Sequence, residues 1–352
     1  MKPVHGGNIY DYQEDIVDYS SNINPRGLPP KIARAIKSHI GELAKYPDIK
    51  YRALKNKLAD WQGVEPQQIL LGNGAAELIY LVAELFRGKK AILPQPTFSE
   101  YQAALAAKNC QCKLIYRQEE DNFALPRDKM LAILNKEEIA GSFICRPNNP
   151  DGSLLAREKL LPLLEKCEYV VIDESFIEYL PREESESFIP LIEEQQKLII
   201  LRSLTKFYAL PGLRLGYLIA PKPIVKKLAA NQPPWPINTL AAEAGSLIPE
   251  CKKYRQKTLT GFQKAKVSFQ QQLAELPQIK IFPGEANFIL VKLKTDDFTA
   301  RDLQQSMVAR GFLLRNCASF AGLNEKFFRL AVKEEADNLK LTKALKAVLE
   351  DK

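Results

Sequence analysis

The sequence predicts an α/β fold: a large domain with a mostly parallel central sheet flanked by helices, plus a smaller α+β domain. Two short, strongly apolar runs, at 169–173 and 197–201, have the character of strands covered on both faces. Such runs alternate with helical stretches, which is the pattern of parallel strands joined by crossover helices. Beyond about residue 250 the alternation gives way to one long polar helix and a mixture of short strands and helices.

Taken in order, residues 68–72 read as a strand, Asn73 and Gly74 as a turn, and 75–86 as a helix. Residues 91–93 form a strand ended by Pro94, a helical stretch runs to Ala107, and 113–116 is the next strand. Residues 142–145 are a buried strand stopped by Pro147, followed by the runs at 169–173 and 197–201. The C-terminal part reads as a helix over 250–276, a strand at 289–293, a helix over 300–310, one short strand at 312–315, a strand at 327–332 and a final helix. No internal repeat or low-complexity linker interrupts the chain. The expected division is a large domain over 47–249, with 1–46 and 250–352 forming a small domain and an N-terminal arm.

With 352 residues, 46% of them hydrophobic, the chain can bury a sizeable core. The net charge of +8 raises the question of nucleic acid. Lys and Arg are instead scattered among Asp and Glu, with no basic block, so a basic surface that favours small anions is the expectation. Six dispersed cysteines and only two histidines, His5 and His39, supply neither a disulfide framework nor a zinc set, and no metal is expected. The opening residues lack an apolar leader, and no apolar run reaches membrane-span length. A cytoplasmic enzyme without nucleic-acid or membrane partners is expected.

Several residues stand where chemistry would be placed. Lys206 follows a buried strand, with Gly212 and Arg214 shortly after it. Asp173 ends an apolar strand, and open α/β sheets bind ligands at strand carboxyl ends. The run 170–174 looks like a Walker B strand, but no Walker A loop exists, which removes a nucleotidase. Gly74, Ala75 and Ala76 open a helix after a strand, where free N–H groups and the helix dipole suit a phosphate. Asn148-Asn149-Pro150-Asp151-Gly152 is a turn, and Phe98 sits in a short Pro-Thr-Phe segment.

The run 203–217, Ser-Leu-Thr-Lys-Phe-Tyr-Ala-Leu-Pro-Gly-Leu-Arg-Leu-Gly-Tyr, resembles the lysine segment of the class I/II aminotransferase-like family, fold-type I enzymes of pyridoxal 5'-phosphate. The resemblance implies that Lys206 carries the cofactor as a Schiff base and shuttles protons. It assigns the cofactor phosphate to Ser203, Thr205, Arg214 and the Gly74–Ala75–Ala76 loop. Asp173 becomes the partner of the ring nitrogen, Asn149 of the phenolic oxygen, and Phe98 the aromatic stacked on the ring. Tyr46, in Lys-Tyr-Pro, matches a tyrosine that reaches the phosphate of the neighbouring subunit, which implies a homodimer with shared sites. Two positions depart from the family: Asp151 replaces a usual threonine, and Phe176 replaces a usual tyrosine.

Within that family, His5-Gly6-Gly7-Asn8-Ile9 and Asp18-Tyr19-Ser20-Ser21-Asn22-Ile23-Asn24-Pro25 resemble the L-threonine-O-3-phosphate decarboxylases of cobalamin biosynthesis. Similar matches occur at Trp235 and Asn238, at 314–317 and at 328–330, and so cover nearly the whole chain. The resemblance implies decarboxylation of a phosphorylated amino acid to aminopropanol phosphate, with His5, Gly6, Asn22, Asn149, Arg315 and Arg329 on the substrate. Two cationic anchors suit a substrate with a phosphate and a carboxylate. Transamination of the histidinol-phosphate type and decarboxylation of serine phosphate remain open alternatives at this level.

Overall fold

All six apolar runs between 68 and 201 join one sheet, in the computed structural model that describes residues 5–12 and 15–350. Residues 1–4, read above as free of an apolar leader, lie outside the described residues. A seventh strand, Leu215–Ile219, completes the sheet. The spatial order is Ile69–Asn73, Leu215–Ile219, Leu198–Ser203, Tyr169–Asp173, Gly141–Cys145, Lys90–Gln95 and Gln111–Tyr116. Pairing is parallel throughout except at Leu215–Ile219, which runs antiparallel to both neighbours. Central strands such as Leu198–Ser203 are buried along their whole length, and each large apolar side chain so covered contributes about 1.5–3 kcal/mol.

Strand Lys90–Gln95 passes through Pro94 rather than ending there. It pairs with Gly141–Cys145 only at Ala91 and Ile92, and with Gln111–Tyr116 along its full length. Past Ile92 one side of the strand needs no N–H, so a proline is tolerated. The expected helix over 75–86 is an α-helix only over Gly74–Val82 and tightens to a 3-10 turn over Ala83–Phe86.

The C-terminal part holds a four-stranded antiparallel sheet in the order Arg315–Asn316, Phe327–Ala331, Phe288–Leu293, Ile279–Ile281. The single strand expected over 312–315 is in fact two. Phe312–Leu313 pairs in parallel with Val17–Asp18, whereas Arg315–Asn316 turns to Phe327–Ala331. Helix Lys252–Ala274 and the final helix Glu335–Glu350 pack on each other beside this sheet. Farther along the arm, helix Pro30–Ser38 packs against helix Thr239–Leu247. We propose the division into 47–249 and 1–46 plus 250–352, with the arm crossing both parts.

Beneath the large sheet lies a buried ionic cluster. Arg202, 1% exposed, meets Glu174 at 2.9 Å and Glu183 at 2.7 Å, and Glu183 also pairs with Arg255. Glu178, fully buried beside them, has no hydrogen-bond partner for either carboxylate oxygen among the described residues. Burial, with the Glu183 charge adding to it, pushes that carboxyl up to about 8.

Candidate active site

The parallel strands all discharge at one edge of the sheet, and the antiparallel strand Leu215–Ile219 begins there. That geometry gathers the loops after Asn73, Gln95, Cys145, Asp173 and Ser203, together with Arg214, around one cleft of about 440 Å³. His5, Gly6, Asn22, Ala75, Ala76, Phe98, Asn149, Asp173, Ser203, Thr205, Lys206, Arg214, Arg315 and Arg329 all line it.

Lys206 opens toward the cleft but is enclosed by protein on the other sides. Burial, then the cationic Arg329 and Arg214, push its amine down from 10.5 to about 8, with Asp18 and Asp173 opposing. Its carbonyl accepts Asn24 N–H at 3.1 Å, which ties the N-terminal segment to the lysine loop. The neutral amine is the form that attacks a carbonyl, and the lowered proton affinity makes more of it available.

Beside the lysine lies a phosphate-sized cradle. Ser203 and Thr205 present hydroxyls 2.8 Å apart. Pairing of Asn73 with Leu215 brings the start of helix Gly74–Val82 against Arg214. The first turn of a helix has backbone N–H groups without intrahelical partners. Gly74 adopts φ +76, a conformation that favours glycine, and a Cβ there would also push the Arg214 guanidinium out of its place. Two hydroxyls, a helix start and a guanidinium around one glycine fit a phosphate monoester.

Asp173 accepts from Tyr101 Oη at 2.6 Å and from Ser175 N–H at 2.8 Å. Burial raises its carboxyl, while the Ser175 and Tyr101 bonds and the Lys206 charge pull it back down. A carboxylate held in this way can meet a protonated ring nitrogen. Phe98 stands between Tyr101, edge-on at 5.6 Å, and His5 at 5.8 Å. Asn149 Oδ1 accepts from Arg329 Nη1. These groups, the cradle and Lys206 together fit pyridoxal phosphate.

The two departures take different places. Phe176 lines the cleft and packs edge-on against Phe288 at 5.1 Å, so it contributes a ring but no hydroxyl. Asp151 is fully buried and braces the turn, accepting from Asn148 Nδ2 and from Ser153 N–H at 2.7 Å. It does not line the cleft.

Arg315 and Arg329 face each other as a register pair on adjacent antiparallel strands. Like charges directly opposite are unfavourable unless an anion joins them. Arg315 lies over the Phe320 ring at 5.4 Å and donates to Ser319 Oγ at 3.0 Å. Arg329 gives its second terminal nitrogen to Ser20 O at 2.8 Å, and its Nε has no partner among the described residues. Burial pushes Arg329 down to about 10, with Cys317 opposing that shift and Arg315 adding to it. Asn22, which lines the same cleft, holds a buried Oδ1 that is likewise without a partner among the described residues.

Of the predicted site residues, Gly74 sits just behind the lining, under Arg214, and Tyr46 lies outside the cleft. It is 80% exposed and stacks on Trp235 with ring centroids 4.6 Å apart. Tyr101, Ser20, Ser21, Ser175, Cys145 and Glu100 line the cleft without having been singled out. The signal for Tyr101 was its spacing: three residues after Phe98, at the start of helix Ser99–Ala106, it shares that face. Among the described residues, no group of three or more metal-ligating side chains occurs.

The family model for aminotransferase class I and II matches residues 14–347. The chain is 35% identical to the threonine-phosphate decarboxylase of Salmonella typhimurium, over 98% of this chain and 96% of that protein. It is 32% identical to the adenosylcobalamin biosynthesis bifunctional protein of Leptospira interrogans, over 97% of this chain and 40% of that protein. Among solved structures, L-threonine-O-3-phosphate decarboxylase from Porphyromonas gingivalis matches with TM-score 0.84 at 27% identity, covering 95% of this chain and 100% of that one. The histidinol-phosphate aminotransferase from Clostridium acetobutylicum matches with TM-score 0.88 at 33% identity, covering 95% and 99%. The sheet whose strand ends deliver Asp173 and Lys206 to one cleft is therefore that of the aminotransferase class I and II family, to which this chain belongs.

Proposed function

We propose that the protein uses pyridoxal 5'-phosphate to decarboxylate L-threonine-O-3-phosphate, giving aminopropanol phosphate for the nucleotide loop of cobalamin. The observation that carries this reading is the facing pair Arg315 and Arg329 beside Lys206. Two buried guanidinium groups suit a substrate with two anionic ends. The full-length similarity to the Salmonella decarboxylase supports the choice of substrate, and the similarity to the Leptospira protein supports the link to cobalamin.

Bound in the cleft, the cofactor supplies an aldehyde for the substrate amine and a conjugated ring that takes up the electrons released at the α-carbon. Lys206 would hold it and afterwards deliver or remove a proton at Nζ. Asp173 would meet the ring nitrogen, Asn149 the phenolic oxygen and Phe98 the ring face. Ser203, Thr205, Arg214, Gly74, Ala75 and Ala76 would hold its phosphate. Arg315 and Arg329 would divide the substrate phosphate and carboxylate between them, and so choose which α-carbon bond is aligned for cleavage. His5, Gly6 and Asn22 would cover the substrate from the arm and exclude water.

A second reading, transamination of a phosphorylated amine, is favoured by the similarity to the Clostridium aminotransferase. Incubation with threonine phosphate in the absence of any oxo-acid separates the two. Carbon dioxide and aminopropanol phosphate support decarboxylation, whereas turnover only with an added oxo-acid refutes it. Parallel assays with serine phosphate test the single methyl group, worth about 1–3 kcal/mol in a pocket.

The working form we propose is a homodimer in the cytoplasm. Ile40, Leu43, Tyr46, Ile49 and Trp235 are exposed apolar side chains near one another in sequence or by ring contact, as an interface would require. Tyr46 would then complete the cofactor phosphate site of the partner. Free thiols at all six cysteines support a reducing setting, and no helix among the described residues is long and apolar enough to cross a membrane.

A further inference from the structure

At the mouth of the cleft, His5 Nε2 meets Glu100 Oε1 at 2.7 Å, and Tyr80 Oη donates to Glu100 Oε2 at 2.8 Å. The three residues come from separate elements: the N-terminal arm, helix Ser99–Ala106 and helix Gly74–Val82. The Glu100 side chain is 12% exposed and that of His5 48%, so the carboxylate is the fixed point and the imidazole is what it holds. Phe98 stands beside the same imidazole, with ring centroids 5.8 Å apart. Two residues on, the arm is held a second time. Gly7 N–H donates to Ser20 Oγ at 2.7 Å, and Gly6 packs so closely on Ser20 that a Cβ would collide with its carbonyl. Ser20 O in turn accepts from Arg329.

We propose that Glu100, braced by Tyr80, is a positioning residue that latches the N-terminal arm across the cleft and presents His5 to the anionic end of the substrate. Glu100 occupies one ring nitrogen of His5 and fixes the ring plane, which leaves Nδ1 as the nitrogen available to a ligand. Without the carboxylate, His5 keeps the ring contact to Phe98 but loses the bond that fixes its ring plane. The phenol of Tyr80 does for Glu100 what Glu100 does for His5, holding its second oxygen. The proposal rests on reading the cleft as one that takes a phosphorylated amino acid.

The test uses the holoenzyme and its E100A, E100Q, Y80F, H5A and H5A/E100A variants. E100A is expected to raise KM for threonine phosphate about tenfold, the scale of one charge-assisted hydrogen bond, and far more than it lowers kcat. Calorimetric titration with inorganic phosphate should show a matching loss of affinity. Chymotrypsin should cleave faster at Tyr10, which lies in the arm and is 93% exposed. E100Q, which keeps an acceptor for His5, should recover part of each effect, Y80F should move each in the same direction by less, and the double variant should be no worse than H5A. Unchanged KM, phosphate affinity and cleavage in E100A would overturn the latch, as would E100A adding its full effect on top of H5A. Should the parent enzyme fail to turn over threonine phosphate, the functional reading falls, while phosphate titration and proteolysis still decide the role of Glu100.

Discussion

Replacing Arg329 by alanine should damage substrate handling far more than cofactor handling, which it touches only through Asn149 and the charge beside Lys206. Arg329 is 5% exposed, and its contacts to Asn149 Oδ1 and Ser20 O are to neutral acceptors. No carboxylate forms an ion pair with it among the described residues, so a buried guanidinium waits for an anion from outside. Truncating one partner of such a desolvated pair costs about 2–5 kcal/mol, or roughly 30- to 5,000-fold in kcat/KM. Part of the structural cost of losing the side chain is offset, because Arg315 no longer faces a like charge. Arg329→Lys keeps the charge but loses the planar fork, and should fall between. Steady-state kinetics on threonine phosphate, with the absorbance of the bound cofactor as control, measure both sides of the claim. An alanine variant with parental kcat/KM would make Arg329 a structural residue and misplace the substrate site.

Lys206→Ala should abolish turnover and the absorbance of covalently held cofactor. In the parent apoprotein, cofactor capture should accelerate as pH rises through about 8 instead of 10.5, because a lowered affinity for the proton frees the reactive amine earlier; rapid-mixing absorbance showing the ordinary lysine midpoint would contradict this. Tyr101→Phe removes a donor to Asp173, so burial should hold that carboxyl higher and cofactor affinity should drop by about tenfold or more, the worth of a hydrogen bond to a charged group. Equilibrium dialysis of the cofactor checks it, and equal affinity would show the bond idle. Glu178 titrates near 8 when folded against an ordinary 4.5, so its contribution to stability is intact below 4.5 and is lost as pH climbs toward 8. The Tm difference between Glu178→Gln and parent should therefore move in favour of the variant from acid to mildly alkaline pH, and a flat difference refutes the buried neutral carboxyl. Sedimentation should find a dimer, with Tyr46→Ala lowering cofactor retention; an active monomer would remove Tyr46 from the site.

The sequence carried the large sheet well because its strands are buried on both faces and read as unbroken apolar runs. It carried Lys206, Asp173 and the Gly74 loop because each sits where a strand ends. Strand Leu215–Ile219 escaped as a strand because its residues were absorbed into the lysine segment, whose glycines and arginine drew attention first. Val17–Asp18 and Ile279–Ile281 are too short to show a period, and only their partners define them. Tyr101 and Glu100 were hidden for another reason. A tyrosine and a glutamate on a helix are ordinary, and only the chain folding back brings Asp173 and His5 to them. The opposition of Arg315 and Arg329 needs the register of two strands, which residue types alone do not supply.

The change of partner at Leu314 makes one short stretch of chain serve two masters. Its first half is stitched to Val17–Asp18 at the root of the arm, and its second half carries Arg315 in the small sheet. Ser20, two residues beyond that stitch, is gripped by Arg329 from the neighbouring strand. Cover and anion clamp are thus mechanically one part: the arm's root cannot lift without dragging on the strand that holds an arginine. On the proposed reading, an anion held by both guanidinium groups would brace the arm through that same bond to Ser20, and a molecule lacking either anionic end would not. Selection of a doubly charged ligand and exclusion of water would then be a single event.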